Sequence, residues 1–176
     1  ALEYREPYLL GNQDPNWHVR NFSNGHFPKI TSRLGGRVKY DPFVHSFYTL
    51  VPPEKYFAGH PEYFAQINGK RVGERAQLCL SNEDVFQIVL EQLRSRLAQD
   101  PNITSVSVSQ NDCAGACTCE KCRKTDEEEG SPAGSMIRFV NRIAEALEKD
   151  YPRLRIDTLA YQYTRRPPRI TRPRHN

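Results

Sequence analysis

A chain of 176 residues, 38% hydrophobic and 26% charged, is long enough for one domain with a sizeable buried core, and too apolar for a disordered chain. No apolar run approaches the roughly 18 residues that span a bilayer, which excludes a helical membrane anchor in this sequence. The net charge of +4 is local, because Arg165, Arg166, Arg169, Arg172 and Arg174 exceed it by themselves; the acidic remainder lacks the basic face a nucleic-acid partner requires.

In chain order, Leu2 to Leu10, Val44 to Val51 and Arg75 to Leu80 are rich in strand-forming types. Ser81 to Asp84 reads as a capping box ahead of Val85, Ile88, Val89, Leu93 and Leu97, a helix that Asp100-Pro101 ends. Ile103 to Ser109 alternates Ser with Val and reads as a strand. The acidic run Asp126 to Glu129 reads as a solvated loop. Ser131 is placed to cap a second helix, with Pro132 at its first position and Met136, Phe139, Val140, Ile143 and Leu147 as its apolar stripe. Ile156 to Tyr163 is the next strand. Residues 165–176 read as a solvated, truncated Pro/Arg-rich end after a domain of residues 1–164.

Strand, helix, strand, helix, strand predicts an α/β fold with a parallel sheet and crossover helices. A doubly wound sheet and a (β/α) barrel both fit. A complete barrel needs about 250 residues, so a barrel would be present only in part.

Functional groups in such folds gather where strands end. The Ile103 strand runs into Gln110-Asn111-Asp112-Cys113, which delivers one carboxylate between amides; Asp112 is the candidate general acid, or a carboxylate capping a turn. Tyr161-Gln162-Tyr163 offers stacking faces and hydrogen bonds, or core rings with hydroxyls at the rim. His45-Ser46 lacks the surroundings of a nucleophile elbow.

Cys113-x3-Cys117-x-Cys119-x2-Cys122 places four thiols within ten positions. They can surround one tetrahedral zinc in a closed, structural shell; two disulfides in an exported protein or reduced thiols are the alternatives. Zinc would point to the cytoplasm, disulfides to the periplasm or the exterior. Cys79, in Leu78-Cys79-Leu80, reads as a buried small hydrophobe.

Several longer strings carry a resemblance. They include His45-Ser46-Phe47-Tyr48-Thr49-Leu50-Val51-Pro52-Pro53, His60-Pro61-Glu62-Tyr63-Phe64, Ser107-Val108-Ser109-Gln110-Asn111-Asp112-Cys113 and Thr158-Leu159-Ala160-Tyr161-Gln162-Tyr163. Together they resemble the bacterial domain-of-unknown-function family numbered 4838. That family is related to glycoside hydrolases, and part of it is classed in family 163, endo-β-N-acetylglucosaminidases acting on complex N-glycans. The resemblance implies a partial (β/α)8 TIM-type barrel of roughly the first five strands, completed by the remainder of its parent chain, with a glycan as substrate. It implies Asp112 as general acid at the fourth strand's end. Asn111, Tyr161, Gln162 and Tyr163 would line a sugar subsite, joined by Arg5, His45 and Tyr48. A non-catalytic glycan-binding domain and a zinc-binding interaction module are the competing expectations.

Overall fold

The computed structural model describes residues 5–6 and 14–176, so most of the strand expected over Leu2–Leu10 lies outside the described residues. Six helices are described: α1 (Pro15–Arg20), α2 (Phe47–Leu50), α3 (Pro53–Tyr56), α4 (Glu83–Gln99), α5 (Glu120–Glu129) and α6 (Ala133–Glu148). Four short strands accompany them: β1 (Gln66–Ile67), β2 (Lys70–Arg71), β3 (Ser105–Ser107) and β4 (Arg155–Asp157).

The expectation of a partial (β/α)8 barrel is overturned. Among the described residues the sheets are two pairs, β1–β2 antiparallel and β3–β4 parallel, rather than a set of five strands. Val44 to Val51 is not a strand, because Phe47, Leu50 and Val51 sit three and four apart and bury one side of a helical turn. Arg75 to Leu80 is not a strand: Arg75 is left-handed (φ 46°), Leu80 turns, and between them Ala65 N donates to Gln77 O (2.8 Å) and Cys79 N to Tyr63 O (2.8 Å). Ile156 to Tyr163 leaves the sheet after Asp157 and turns at Gln162, whose φ is 50°.

The two long helices form where their periodicity predicts. Asn82, not Ser81, caps α4, its side-chain oxygen accepting from Asp84 N (2.8 Å) and Val85 N (3.3 Å). The Ser131 hydroxyl accepts from Ala133 N (3.1 Å) at the start of α6. The stretch read as an acidic loop is α5, stopped by Gly130 at φ 70°.

Alternation along β3 decides the layering. Val106 and Val108 enter one core with Val85, Val89, Leu93, Met136, Phe139, Ile143 and Leu147 of the helices, while Ser105, Ser107 and Ser109 face the other way. Residues 39–42 run parallel to β3 on its free side, through bonds such as Thr104 N to Lys39 O (2.9 Å) and Ser107 N to Pro42 O (2.9 Å). The Arg-rich end is largely exposed, as expected, and lies along α5 and α6: Arg174 pairs with Glu148 (2.5 Å) and Asn141 donates to Arg172 O (2.8 Å). No helix among the described residues is long and apolar enough to cross a membrane.

Candidate functional site

Beyond β3 and β4 the chain forms a polar corner from three separate segments. The residue 45–48 turn is stitched to the end of β3: His45 N donates to Ser109 Oγ (2.8 Å), Ser46 Oγ to Ser107 O (2.7 Å) and Phe47 N to Ser109 O (3.1 Å). Fully buried Gln110 ties in the third segment, donating to Tyr161 O (2.5 Å) and accepting from Thr164 Oγ1 (2.8 Å). His45 (φ 59°) and Gln162 (φ 50°) are both left-handed without being glycine, a conformation that persists only where the surroundings enforce it.

His45, Asp112, Tyr161 and Gln162 meet here. His45 Nδ1 lies 2.8 Å from Gln110 O; a carbonyl can only accept, so Nδ1 is the donor of this bond. The His45 and Tyr161 rings are 5.8 Å apart, and Gln162 Nε2 donates to Asp112 Oδ1 (3.3 Å). Asp112 and Tyr161 are solvent-exposed, so the corner presents a carboxylate, an amide and an aromatic face on open surface.

The other expected sugar contacts have different work. Asn111 is buried and its amide is used up inside the protein, accepting from Tyr48 N (3.2 Å) and donating to Ala76 O (2.9 Å). The Tyr48 hydroxyl accepts from Ala76 N (3.3 Å), and burial raises its pKa. Tyr163 turns inward among Gln77, Cys117, Cys122 and Asp126, and burial pushes its hydroxyl well up. Arg5 is held through its main chain to Asn24 (Arg5 N to Asn24 Oδ1, 2.9 Å), with none of its described bonds reaching the corner.

Sequence reasoning missed one carboxylate. Asp157 of β4 is in register with Ser107, so it shares the serine face of the sheet. Burial raises its pKa against hydrogen bonds from Tyr40 and Ser107, and its Oδ1 has no partner among the described residues. A polar residue breaking the apolar pattern just after Ile156 was the available signal.

The second grouping is sulfur. The Sγ atoms of Cys79, Cys117, Cys119 and Cys122 all lie within 4.8 Å of one another, and all four residues are buried. Cys79 takes the place expected for Cys113. Along the extended residues 76–79, Leu78 enters the main core, so Cys79 faces the opposite side, toward residues 117–122. Cys113 stays at the corner, its Sγ 3.4 Å from Gln77 Nε2 and 3.6 Å from Ala76 O. All five cysteines are free thiols. The Cys79 sulfur is 3.6 Å from that of Cys119 and 3.9 Å from that of Cys122. Tetrahedral bonds of about 2.3 Å to zinc place sulfurs about 3.8 Å apart, so the spacing fits a four-thiolate ion. Hydrogen bonds from Cys117 and Cys122 pull the Cys79 thiol down, while hydrogen bonding to Cys117 and Cys79 pushes Cys122 up.

Gln77 joins the two sites. Its Oε1 accepts from Asn111 N (2.9 Å) and its Nε2 donates to Cys113 O (2.7 Å), two residues before Cys79 in the same extended segment.

The family model described as Domain of unknown function (DUF4838) matches residues 1–176, and the chain belongs to that family. No curated protein and no solved structure matches it.

Proposed function

We propose that this DUF4838 member is a carbohydrate-active, glycoside-hydrolase-like unit that takes a saccharide at the corner of His45, Asp112, Tyr161 and Gln162. A structural zinc ion held by Cys79, Cys117, Cys119 and Cys122 braces it. The observation that carries the reading is the convergence of three distant segments, two through left-handed non-glycine residues, on one set of sugar-compatible groups. The exposed Tyr161 ring offers a stacking face, while Asp112 and Gln162 offer an acceptor and a donor for hydroxyls. The family resemblance adds the substrate class, an N-acetylglucosamine-containing glycan.

In the hydrolytic form of this reading Asp112 is the general acid. In that role its carboxyl hands a proton to the leaving oxygen of the bound saccharide. Such chemistry also requires a second carboxyl group or the substrate's own acetamido oxygen. The exposure of Asp112 supports a second form, recognition without cleavage, because a general acid is ordinarily kept protonated by burial.

One experiment separates the forms: wild type, Asp112→Asn and Tyr161→Ala are compared for binding to N-glycans and for cleavage of aryl N-acetylglucosaminides. The expected result is binding weakened at least tenfold by Tyr161→Ala, a loss of about 1.4 kcal/mol or more. Cleavage lost in Asp112→Asn with binding kept assigns the acid; binding without any cleavage by wild type assigns the second form. Wild type that binds no glycan overturns both. Elemental analysis is expected to find about one zinc per chain, and disulfides among the four cysteines would remove the ion from the proposal.

A further inference from the structure

Four thiolates around a divalent ion carry a net charge of about −2, and burying that charge is costly unless donors face the sulfurs. The donors come from outside the cysteine loop. Gln66 N donates to Cys117 Sγ at 3.3 Å, and Arg71 Nη1 lies 3.8 Å from the same sulfur. Arg71 is anchored as well, because Nη1 also donates to Phe64 O at 2.7 Å.

Local sequence explains why these two groups arrive together. Asn68 (φ 50°) and Gly69 (φ 78°) are both left-handed, the requirement of a tight two-residue hairpin turn, so Gln66 and Arg71 become registered partners across β1 and β2. The hairpin is fastened to the ligand loop where Thr118 N and Oγ1 both donate to Gln66 O, at 2.8 and 2.7 Å. A solvent groove bordered by Arg71, Ser81 and Lys121 opens on Cys79 and Cys119, so an ion or a chelator can reach the sulfurs past this side chain.

We propose that the Gln66–Arg71 hairpin is the outer sphere of the metal centre, with Arg71 the positioning residue whose guanidinium offsets the thiolate charge and sets how tightly the ion is held. The proposal rests on the reading that the four cysteines bind zinc. Removing the guanidinium leaves the excess charge of the loaded site uncompensated, so the ion is held less tightly and leaves faster. Losing an outer-sphere partner of this kind typically lowers metal affinity about 10–100-fold.

The test uses the full chain loaded with zinc, titrated with a chromophoric chelator to read affinity and release rate. Arg71→Gln is compared with wild type, Arg71→Lys and the neighbouring Lys70→Ala, whose side chain is exposed on the same hairpin. Expected are an affinity about 10–100-fold lower and faster release in Arg71→Gln, most of it restored by Arg71→Lys, with Lys70→Ala unchanged. Arg71→Gln keeps most of the stem and a donor for Phe64 O, and circular dichroism checks that each variant folds. An Arg71→Gln affinity within twofold of wild type overturns the proposal, as does Arg71→Lys as weak as Arg71→Gln. Wild type that binds no zinc overturns instead the reading beneath it, so the two failures are distinguishable.

Discussion

Cys79 and Cys113 exchange the roles their neighbourhoods suggest. Cys117, Cys119 and Cys122 are legible as members of the sulfur cluster because local spacing suffices to bring them together. The fourth is not, because only pairing between residues 63–65 and 77–79 turns Cys79 toward them. Cys79→Ser is therefore expected to abolish stoichiometric zinc binding, and Cys113→Ser to leave about one zinc per chain by elemental analysis. The polar corner is legible to the same depth. Asp112, Tyr161 and Gln162 follow the ends of β3 and β4 and His45 joins them from a turn rather than the expected strand, but no sequence reveals that the Asn111 amide is already spent on Tyr48 and Ala76. Asp157 went unseen because the groups that face it, Tyr40 and Ser107, are far away in sequence.

Periodicity makes α4 and α6 legible, since their apolar stripes meet each other and β3 in one core. Leu93 is fully buried there. Leu93→Ala is expected to destabilise the fold by about 2–5 kcal/mol in denaturant titrations, whereas truncating exposed Glu91 on the same helix changes little. The helix α5 lacks such a stripe: its buried residues are Cys122 and Glu129, and a run of charges conceals both. The strands fared worst for a related reason. Strand-forming residue types describe a half-buried surface, and at Phe47 to Val51 a helical turn buries the same side chains.

Across the whole molecule, the Arg-rich end stays largely in solvent, as its composition promised, while one side of it is fastened along α5 and α6. Glu129 is wholly enclosed and receives it, accepting from Thr171 N (3.0 Å), Ile170 N (3.0 Å) and Arg138 Nε (2.8 Å). Burial is the strongest single influence on this carboxyl and raises its pKa. The bonds from Thr171, Ile170 and Arg138 together outweigh it and hold the value at about 2, below the ordinary 4.5. A depressed carboxylate contributes stability above its unfolded pKa, and that contribution is lost as pH falls through the folded value. Thermal melts are therefore expected to show wild type losing stability between about pH 4.5 and 2, with Glu129→Gln less stable at neutral pH and flatter across that window. An equally steep wild-type and variant profile would assign the acid sensitivity to other carboxylates.

Gln77 gives this architecture a two-way character. Its amide grips Asn111 and the Cys113 carbonyl from the segment that carries Cys79, so whatever free energy the ion lends to the neighbourhood of Asp112 has a mirror image. Where the ion strengthens the hold on a guest at Tyr161, thermodynamic reciprocity requires the guest to strengthen retention of the ion by the same factor. Under the proposed function, each occupant would act as a heterotropic effector of the other across a single buried side chain.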